Sequence, residues 1–359
     1  MLNRKHSRPV TFVLPGDGRS GGVRVTAIMA NLLLDRGHAV RIACKRPRRS
    51  WKDVLFMLGK LWGTKNNSGF LEVFRGRVEP YENLDELNYK EEEIVIAVGT
   101  YTIPDIRRMT KPVTKIRFNH GFPARPTAEQ EDAWKGPMTT ITVSNTLIPK
   151  LEQLTGGNVW GVVPNGVDTT QYYAESNVPR DGIGALFSRH SNKAPELMIS
   201  LLRKAHAKWP DVPQYVFGTE PCPKGLEHVQ YTQLPSVDEA RKIYNRSKAW
   251  IVSSRTEGLP GVVLEAIACG SLVVSTDNDG SLEVLRDGHN GLIAPRDDEE
   301  ALLAQIQRSI TDEPERNRLV ENATITLEKF TWSHAADRME EFLKSLDAPR
   351  ANQPIGTSI

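Results

Sequence analysis

Short apolar runs alternate along the chain with longer segments in which apolar residues recur at helical spacing. Most of the short runs are continuously apolar and rich in Val and Ile, rather than alternating between apolar and polar positions. That pattern is typical of strands that are covered on both faces in a parallel sheet. The runs predict strands at 10–14, 40–44, 94–98, 115–118, 140–143, 160–163, 184–188, 214–218, 228–231, 249–254, 272–276 and 291–295.

Helical segments lie between several of these strands, which predicts an α/β protein. The chain has 359 residues, more than one ordinary core holds, so we expect two doubly wound, Rossmann-like domains. A polar stretch at 165–183 interrupts the pattern and predicts their boundary, which gives domains at 1–170 and 171–331. The clearest helical segments are 23–36, 194–208, 237–247 and 298–310.

The two ends of the chain carry no pattern typical of a targeting or membrane segment. The apolar run nearest the start, 10–14, is too short for a signal peptide, and no run approaches the ~20 apolar residues that a membrane-spanning helix needs. Near the other end, 332–346 predicts an amphipathic helix with no strand after it. The polar tail at 347–359 is expected to be disordered.

Charge and cysteine content exclude several classes of protein. The 46 Lys and Arg residues nearly balance the 44 Asp and Glu residues, so the whole-chain charge gives no case for a nucleic acid partner. Three cysteines, Cys44, Cys222 and Cys269, lack metal-binding spacing and form no disulfide framework. We therefore expect a reducing, cytoplasmic location.

One stretch, 45–65, combines basic and aromatic residues. Trp51, Leu55, Leu58 and Trp62 recur at helical spacing, with lysines beside them. Such a face could lie in an anionic membrane interface, which would make the acceptor of any reaction lipid-linked. It could equally pack on the first domain with its charges solvated.

A glycine-rich turn follows the first predicted strand and precedes a helix. Gly16, Gly18 and Gly21 have the spacing of a dinucleotide fingerprint, in which backbone N–H groups approach a phosphate. The fingerprint also expects an acidic residue about 20 positions further on, and the second strand instead runs into Cys-Lys-Arg. An NADP-dependent oxidoreductase could use Arg46 or Arg48 there. The loop could also serve only a tight turn, or face a phosphate of another kind.

A second loop, between the predicted strand 249–254 and a helix expected to begin at about Pro260, holds two carboxylates. Glu257 lies on the loop, and Glu265 lies on the second turn of the helix. A helix start carries free N–H groups and positive potential, which suit a diphosphate. The two carboxylates could flank such a ligand, one accepting hydrogen bonds from sugar hydroxyls and the other from ribose hydroxyls. A nucleotide-sugar has this composition.

The spacing of Glu257 and Glu265 is similar to the signature of the retaining glycosyltransferases of family four, two glutamates separated by seven residues around a glycine-rich middle. The chain resembles that family over most of its length. In the segment VVPNGVD, Asn165 and Asp168 are expected to shape a turn. The segments that carry the resemblance are 21–43, 162–168, 254–270, 266–276 and 282–295.

The resemblance implies roles for the residues around the second loop. Glu257 matches the glutamate that contacts the donor sugar, and Glu265 matches the one on the ribose. The backbone around the sugar and phosphates is implied at Gly258, Leu259 and Pro260.

The same resemblance implies roles for residues elsewhere in the chain. Arg189 and Lys193 look like the basic pair that binds the diphosphate, where developing negative charge needs fixed positive partners. Gly21 and Gly22 match the loop that faces the donor phosphate. His120 follows a strand of the first domain, where the family often has a histidine lining the reaction centre.

The family resemblance also implies a fold and an activity. The fold is GT-B, an α/β architecture in which two Rossmann-like domains face each other across a cleft and the helix at 332–346 returns towards the first domain. The activity is transfer of a hexose from a UDP- or GDP-sugar to a glycan or lipid-linked acceptor, in the synthesis of cell-envelope polysaccharide or glycoconjugates.

Other expectations follow for cofactors and alternatives. We expect no cofactor and no metal, since no aspartate pair with metal-binding spacing lies near these residues. The enzyme would be cytoplasmic, or peripheral on the inner face of the membrane through 45–65. The alternatives are a sugar-nucleotide epimerase or phosphorylase of the same architecture, the NADP-dependent oxidoreductase, and a non-catalytic binding protein.

Overall fold

The computed structural model describes residues 8–18, 20–46, 69–123 and 126–347. Most of the basic aromatic stretch at 45–65 and nearly all of the tail expected to be disordered, 347–359, lie outside these described residues. The chain divides into two compact units that interleave along the sequence. One comprises Met1–Asn119, Thr127–Ile141 and Gln153–Val159, and the other comprises His120–Pro126, Thr142–Glu152 and Trp160–Ile359. The predicted boundary between residues 170 and 171 stays a prediction.

The first sheet has seven strands in the order β3-β2-β1-β4-β5-β6-β7, and its pairs from β3 to β5 are parallel. All residues of β1 and β4 are buried, as continuous apolar runs predict. The strands are β1 (Val10–Leu14), β2 (Val40–Lys45), β3 (Arg77–Tyr81), β4 (Ile94–Val98), β5 (Thr114–Asn119), β6 (Thr139–Thr142) and β7 (Val159–Val162).

The apolar pattern missed β3, because its sequence RVEPY contains two charged residues and a proline. Such a strand is tolerated at the edge of a sheet, where one side needs no ladder partner. The helices along this part of the chain are α1 (Gly21–Asp35), α2 (Ile103–Arg108), α3 (Ala128–Asp132) and α4 (Ile148–Thr155).

The second sheet has six parallel strands in the order β10-β9-β8-β11-β12-β13. Its strands are β8 (Gly182–Phe187), β9 (Gln214–Gly218), β10 (Gln230–Gln233), β11 (Ser247–Val252), β12 (Leu272–Thr276) and β13 (Leu292–Ala294). Its helices are α5 (Pro195–Lys208), α6 (Val237–Arg246), α7 (Gly261–Ala268), α8 (Asp279–Val284), α9 (Glu299–Thr311) and α10 (Glu313–Thr326).

In both sheets the strand order reverses beside the first strand, between β1 and β4 and between β8 and β11. Ligands of open α/β sheets bind at the carboxyl ends of the strands at such a reversal. The predicted α/β class with two doubly wound parallel sheets is confirmed.

A last helix, α11 (Trp332–Ser345), occupies the predicted amphipathic segment. The ring of Phe342 meets the ring of Trp160 edge-on, with 5.2 Å between centroids. The Arg338 guanidinium donates a hydrogen bond to the carbonyl of Val162 over 3.2 Å. The helix therefore packs beside β7. None of the helices in the described part of the chain is long and apolar enough to cross a membrane.

Candidate active site

The loops that follow β8 and β11 are joined to each other by hydrogen bonds. The Ser253 hydroxyl donates to the carbonyl of Lys193 over 2.9 Å, and the backbone N–H of Arg255 donates to the carbonyl of Asn192 over 2.7 Å. Because β8 and β11 are adjacent parallel strands, both loops lie at the carboxyl edge where the strand order reverses. Lys193 and Glu257 are thus carried on two fixed, neighbouring loops.

Lys193 and Glu257, both predicted from the sequence, form an ion pair. The Lys193 ammonium donates to Oε1 of Glu257, and the Ser254 hydroxyl donates to the same oxygen over 2.6 Å. The Lys193 side chain remains 28% exposed, so an incoming anion can reach it. Immediately after Lys193 the buried Ala194 has φ 48°, a left-handed conformation that costs of order 1 kcal/mol for a residue other than glycine.

The helix start that follows this loop is open to solvent. Helix α7 begins at Gly261, one residue later than predicted, because Pro260 has extended backbone with ψ 115° and precedes the first helical turn. Pro260 supplies no side-chain hydrogen bond to the helix, and Gly261 is exposed. The N–H of Val263 donates to the Pro260 carbonyl over 3.1 Å, whereas those of Gly261 and Val262 have no hydrogen-bond acceptor among the described residues. These two groups and the positive end of the helix dipole are therefore available to an anion that approaches the exposed Gly261.

Glu265 lies one turn into α7 and is 7% exposed. Its Oε1 atom lies 3.9 Å from the position that a Cβ on Gly261 would take. The carboxylate therefore extends back towards the helix start, as side chains on helices do. Glu257 and Glu265 are both placed beside the start of α7, one on the preceding loop and one on the helix.

Gly258 lies where no side chain fits. A Cβ there would be 2.2 Å from the carbonyl oxygen of His120, and a Cβ on Gly280 of α8 would be 2.7 Å from the carbonyl oxygen of Gly258. The backbone of Gly258 is held between two other backbone segments of the same unit. Glycine is needed for this close approach.

His120, predicted to line the reaction centre, lies partly buried beside Gly258, with its Nε2 atom shielded from solvent. Burial lowers the pKa of His120 to about 4, so its imidazole is neutral at pH 7. The neighbouring Phe122 carbonyl accepts a hydrogen bond from the Asn192 side chain over 3.2 Å. The segment that carries His120 therefore contacts both loops of the candidate site.

Asn165 reaches the same loop from the NGVD turn. Its side-chain amide donates to the carbonyl of Leu259 over 2.8 Å. Asp168 accepts a hydrogen bond from the backbone N–H of Thr170 over 2.9 Å, which confirms its role in shaping the turn. For Asn165, sequence reasoning predicted only a turn, since nothing in the local pattern indicates a partner so far along the chain.

Arg189 is exposed directly after β8. Its backbone N–H donates to the Glu220 carboxylate over 3.4 Å. Burial raises the pKa of Tyr231 to about 12, and the nearby positive charge of Arg189 opposes that rise. The Arg189 backbone is therefore tied to the loop after β9, whereas the Lys193 side chain pairs with Glu257. The role of Arg189 at a diphosphate stays a prediction.

Gly21 and Gly22 open helix α1 in the first unit, where the Ser20 hydroxyl accepts a hydrogen bond from the N–H of Val23. A Cβ built on Gly16, Gly18, Gly21 or Gly22 meets no described atom within 4 Å, and none of the four has φ in the left-handed region. Neither packing against described residues nor backbone geometry requires glycine here, which favours a surface kept open for a ligand over a purely structural turn.

The second strand of the first sheet does not end in a ribose-binding acid. The Lys45 ammonium pairs with Asp105 at 2.7 Å, and Arg46 lies 3.7 Å from Glu82. Arg48 lies outside the described residues. Within the described ranges, no group of three or more His, Cys, Asp or Glu side chains is placed to hold a metal ion.

Comparisons with known proteins support the family resemblance. Residues 224–326 match the family model described as "Glycosyl transferases group 1". Alpha-maltose-1-phosphate synthase of Mycolicibacterium smegmatis is 28% identical over 221 residues, 52% of this chain and 57% of that protein. Phosphatidyl-myo-inositol mannosyltransferase of the same organism is 28% identical over 187 residues, 48% of each chain. The matched region thus covers about half the length of each of these two relatives, and less of several others.

Solved structures show the same fold. HepE from Anabaena, in a complex with UDP and glucose, superposes with a TM-score of 0.73 over 94% of this chain and 100% of that one, at 16% identity. Similarity at this identity concerns the fold, which is that of the GT-B glycosyltransferases. The structural similarity confirms the predicted GT-B fold. The family match confirms the predicted recognition, and with it the glycosyltransferase class, for residues 224–326.

Proposed function

Because the chain carries a glycosyl transferases group 1 domain on a GT-B fold, we propose that it is a retaining hexosyltransferase. It would transfer a hexose from a UDP- or GDP-sugar to a glycan or lipid-linked acceptor in cell-envelope or glycoconjugate synthesis. Retention of anomeric configuration follows from the resemblance to family four and is part of the proposal.

One observation carries the proposal. The accessible Lys193 ammonium, the Glu257 carboxylate and the exposed start of α7 lie together at the carboxyl edge of adjacent strands β8 and β11. A cation and unpaired helix N–H groups stabilise a diphosphate, and they stabilise it more as charge develops on it during bond cleavage.

The donor would lie across the start of α7. Its diphosphate would contact Lys193 and the backbone N–H groups that follow Pro260. Glu257 would accept hydrogen bonds from hydroxyls of the transferred sugar, and Glu265 from those of the ribose. Because Lys193 and Glu257 pair with each other in the structure, the donor phosphate and sugar would replace or share this contact.

Other parts of the site have proposed roles that follow the same chemistry. His120 is neutral at pH 7 and would line the reaction centre as a hydrogen-bonding group without charge. Gly21 and Gly22 would face the donor phosphate. We propose that turnover needs no divalent cation, since Lys193, Arg189 and the helix start would supply the positive charge.

The names of relatives support the choice of ligands. One relative is a phosphatidyl-myo-inositol mannosyltransferase, whose name describes a lipid acceptor, and the Anabaena structure contains UDP and glucose. A UDP-hexose is therefore the first donor to test, with a GDP-hexose as the alternative. We further propose that the enzyme works on the cytoplasmic side, with 45–65 contacting anionic lipid.

The direct test is a screen of UDP- and GDP-hexoses with glycan and lipid-linked acceptors, read as acceptor-dependent release of nucleoside diphosphate. Glu257→Gln should reduce turnover by about 100-fold or more with thermal unfolding nearly unchanged. Glu300→Gln, at an exposed glutamate that pairs with Lys204, is the matched control and should retain activity. NMR of the product should show the anomeric configuration of the donor.

Other outcomes of this screen would contradict the proposal. Donor consumption that needs no acceptor and releases no nucleoside diphosphate would indicate an epimerase. An inverted product would exclude retention. Full activity in Glu257→Gln would remove Glu257 from the mechanism.

A further inference from the structure

Tyr244 of α6 is completely buried in an aromatic cluster. Its ring meets the ring of Phe217 edge-on, with 5.7 Å between centroids, and lies tilted over the ring of Trp250 at 4.3 Å. Tyr172 contacts it from a further side at 6.0 Å. With the ring fixed from several directions, the hydroxyl has one defined position.

That hydroxyl donates a hydrogen bond to Oε2 of Glu265 over 2.8 Å. The direction is set by chemistry, because an ionised carboxylate can only accept. Burial and the neighbouring Glu265 charge raise the pKa of Tyr244 well above its ordinary value, so the hydroxyl stays protonated throughout the pH range of an assay.

The two oxygens of Glu265 therefore have different surroundings. Oε2 is held by Tyr244 inside the unit, whereas Oε1 lies above Gly261, the exposed first residue of α7. Gly261 carries no side chain that could lie between Oε1 and solvent, and a Cβ built there would be 3.9 Å from Oε1. A carboxylate fixed through one oxygen presents the other in a constant orientation.

We propose that Tyr244 is a positioning residue that fixes Glu265 so that Oε1 can accept hydrogen bonds from the ribose hydroxyls of the donor nucleotide. The inference rests on the proposed function. It adds the residue that orients Glu265 towards the ribose hydroxyls of the donor.

The test is titration calorimetry with UDP and with 2′,3′-dideoxy-UDP, using the full chain. Tyr244→Phe keeps the ring and removes only the hydroxyl. We expect the Kd for UDP to rise about 10-fold, the size expected for one hydrogen bond to a charged group. The Kd for the dideoxy analogue should change less than about 2-fold, because that ligand lacks the hydroxyls that Glu265 would bind.

Two further variants separate positioning from folding. Tyr215→Phe removes another buried tyrosine hydroxyl that donates to a carboxylate, that of Asp181 over 2.9 Å, and it should leave both Kd values unchanged. In a Glu265→Ala background, Tyr244→Phe should have no additional effect on UDP binding, since the two residues act as one unit.

The outcomes distinguish this inference from the proposed function. An equal loss of affinity for both ligands in Tyr244→Phe, or an undiminished loss in the Glu265→Ala background, would overturn the positioning role. Unchanged UDP affinity in Tyr244→Phe would also overturn the positioning role, but it would not contradict the proposed transferase function. Failure of the wild-type chain to bind either UDP or GDP would overturn the inference and the proposed function together.

Discussion

The side-chain amide of Asn165 donates a hydrogen bond to the carbonyl of Leu259 over 2.8 Å. The next residue, Gly166, is packed so closely on the backbone of Thr331 and Trp332 that a Cβ would lie 2.3 Å from the Trp332 nitrogen. The turn that contains Asn165 and Gly166 is therefore packed against Thr331 and Trp332 on one side. On the other side it is hydrogen-bonded to the Glu257–Pro260 loop. The geometry of the candidate site depends on a residue that lies far from it in sequence.

Replacing Asn165 with Ala should loosen the 257–260 loop. The carbonyl of Leu259 loses its donor in a buried place, so we expect a loss of about 1–2 kcal/mol in the free energy of unfolding and a drop of about 10-fold in kcat/KM. Asn158→Ala removes a similar turn hydrogen bond, to Thr155 over 2.9 Å, and should lower stability alone. Equal kinetic parameters in the two variants would show that Asn165 does not position the loop.

Gly261 and Gly258 should respond differently to alanine. At Gly261 a new methyl group has 3.9 Å to its nearest neighbour, so stability should be unchanged or up to about 1 kcal/mol higher. The methyl group would cover the helix start, however, and UDP affinity should fall. At Gly258 the methyl group would lie 2.2 Å from the His120 carbonyl, so stability should fall by about 1–3 kcal/mol.

Thermal unfolding and calorimetry of these two variants check the contrast. If Gly261→Ala binds UDP as tightly as the wild type, the start of α7 is not where the nucleotide lies. If Gly258→Ala unfolds at the wild-type temperature, the close approach of the His120 backbone does not constrain the loop.

The free energy of unfolding should decrease as the pH falls below 6.5, because His120 takes up a proton less readily in the folded chain than in the unfolded chain. Its pKa is lowered by burial from 6.5 to about 4, so between these values the unfolded chain binds a proton that the folded chain does not. The contribution of neutral His120 to the free energy of unfolding is complete above pH 6.5. It is lost as the pH falls towards 4, by at most about 1.4 kcal/mol per pH unit.

Denaturant unfolding of the wild type and His120→Asn at several pH values tests this. The advantage of the wild type should shrink steadily from pH 6.5 to pH 4, because the variant lacks the titrating group. His228, whose pKa is also lowered, first by burial, is present in both proteins and cancels. Parallel stability curves would mean that His120 is protonated as easily in the folded state as in the unfolded one.

Much of this architecture could be predicted from the sequence, because fully buried parallel strands leave continuous Val- and Ile-rich runs. The edge strand Arg77–Tyr81 could not, since only one of its faces is buried, at Glu79 and Tyr81, and it carries Pro80. The loop with Glu257 was found because the spacing to Glu265 and the glycines between them lie within one short segment.

The supporting contacts could not be predicted for a physical reason. Asn165 meets Leu259 and Tyr244 meets Glu265 only after the strands have paired. The local pattern of apolar and polar residues therefore does not predict these two contacts. The partial burial of His120 was also beyond reach, because His120 packs beside Gly258, a residue distant in the chain.

Turnover should not depend on a divalent cation if Lys193 and the helix start carry the charge of the leaving diphosphate. We expect less than about 2-fold change in kcat when enzyme and donor are dialysed against EDTA, because the cationic groups are covalently part of the chain. A large loss of activity that Mg²⁺ or Mn²⁺ restores would show that a metal ion shares this task.

The central claim is that the carboxyl edge between β8 and β11 holds a nucleoside diphosphate through Lys193, and UDP and GDP titrations of Lys193→Gln test it most directly. Lys204→Gln, at a lysine on α5 that pairs with Glu299 and Glu300, is the control. We predict that the wild type and Lys204→Gln bind one of the two nucleotides equally, while Lys193→Gln binds it at least about 10-fold more weakly. Equal affinity in all three proteins, or no binding by the wild type, would contradict the account.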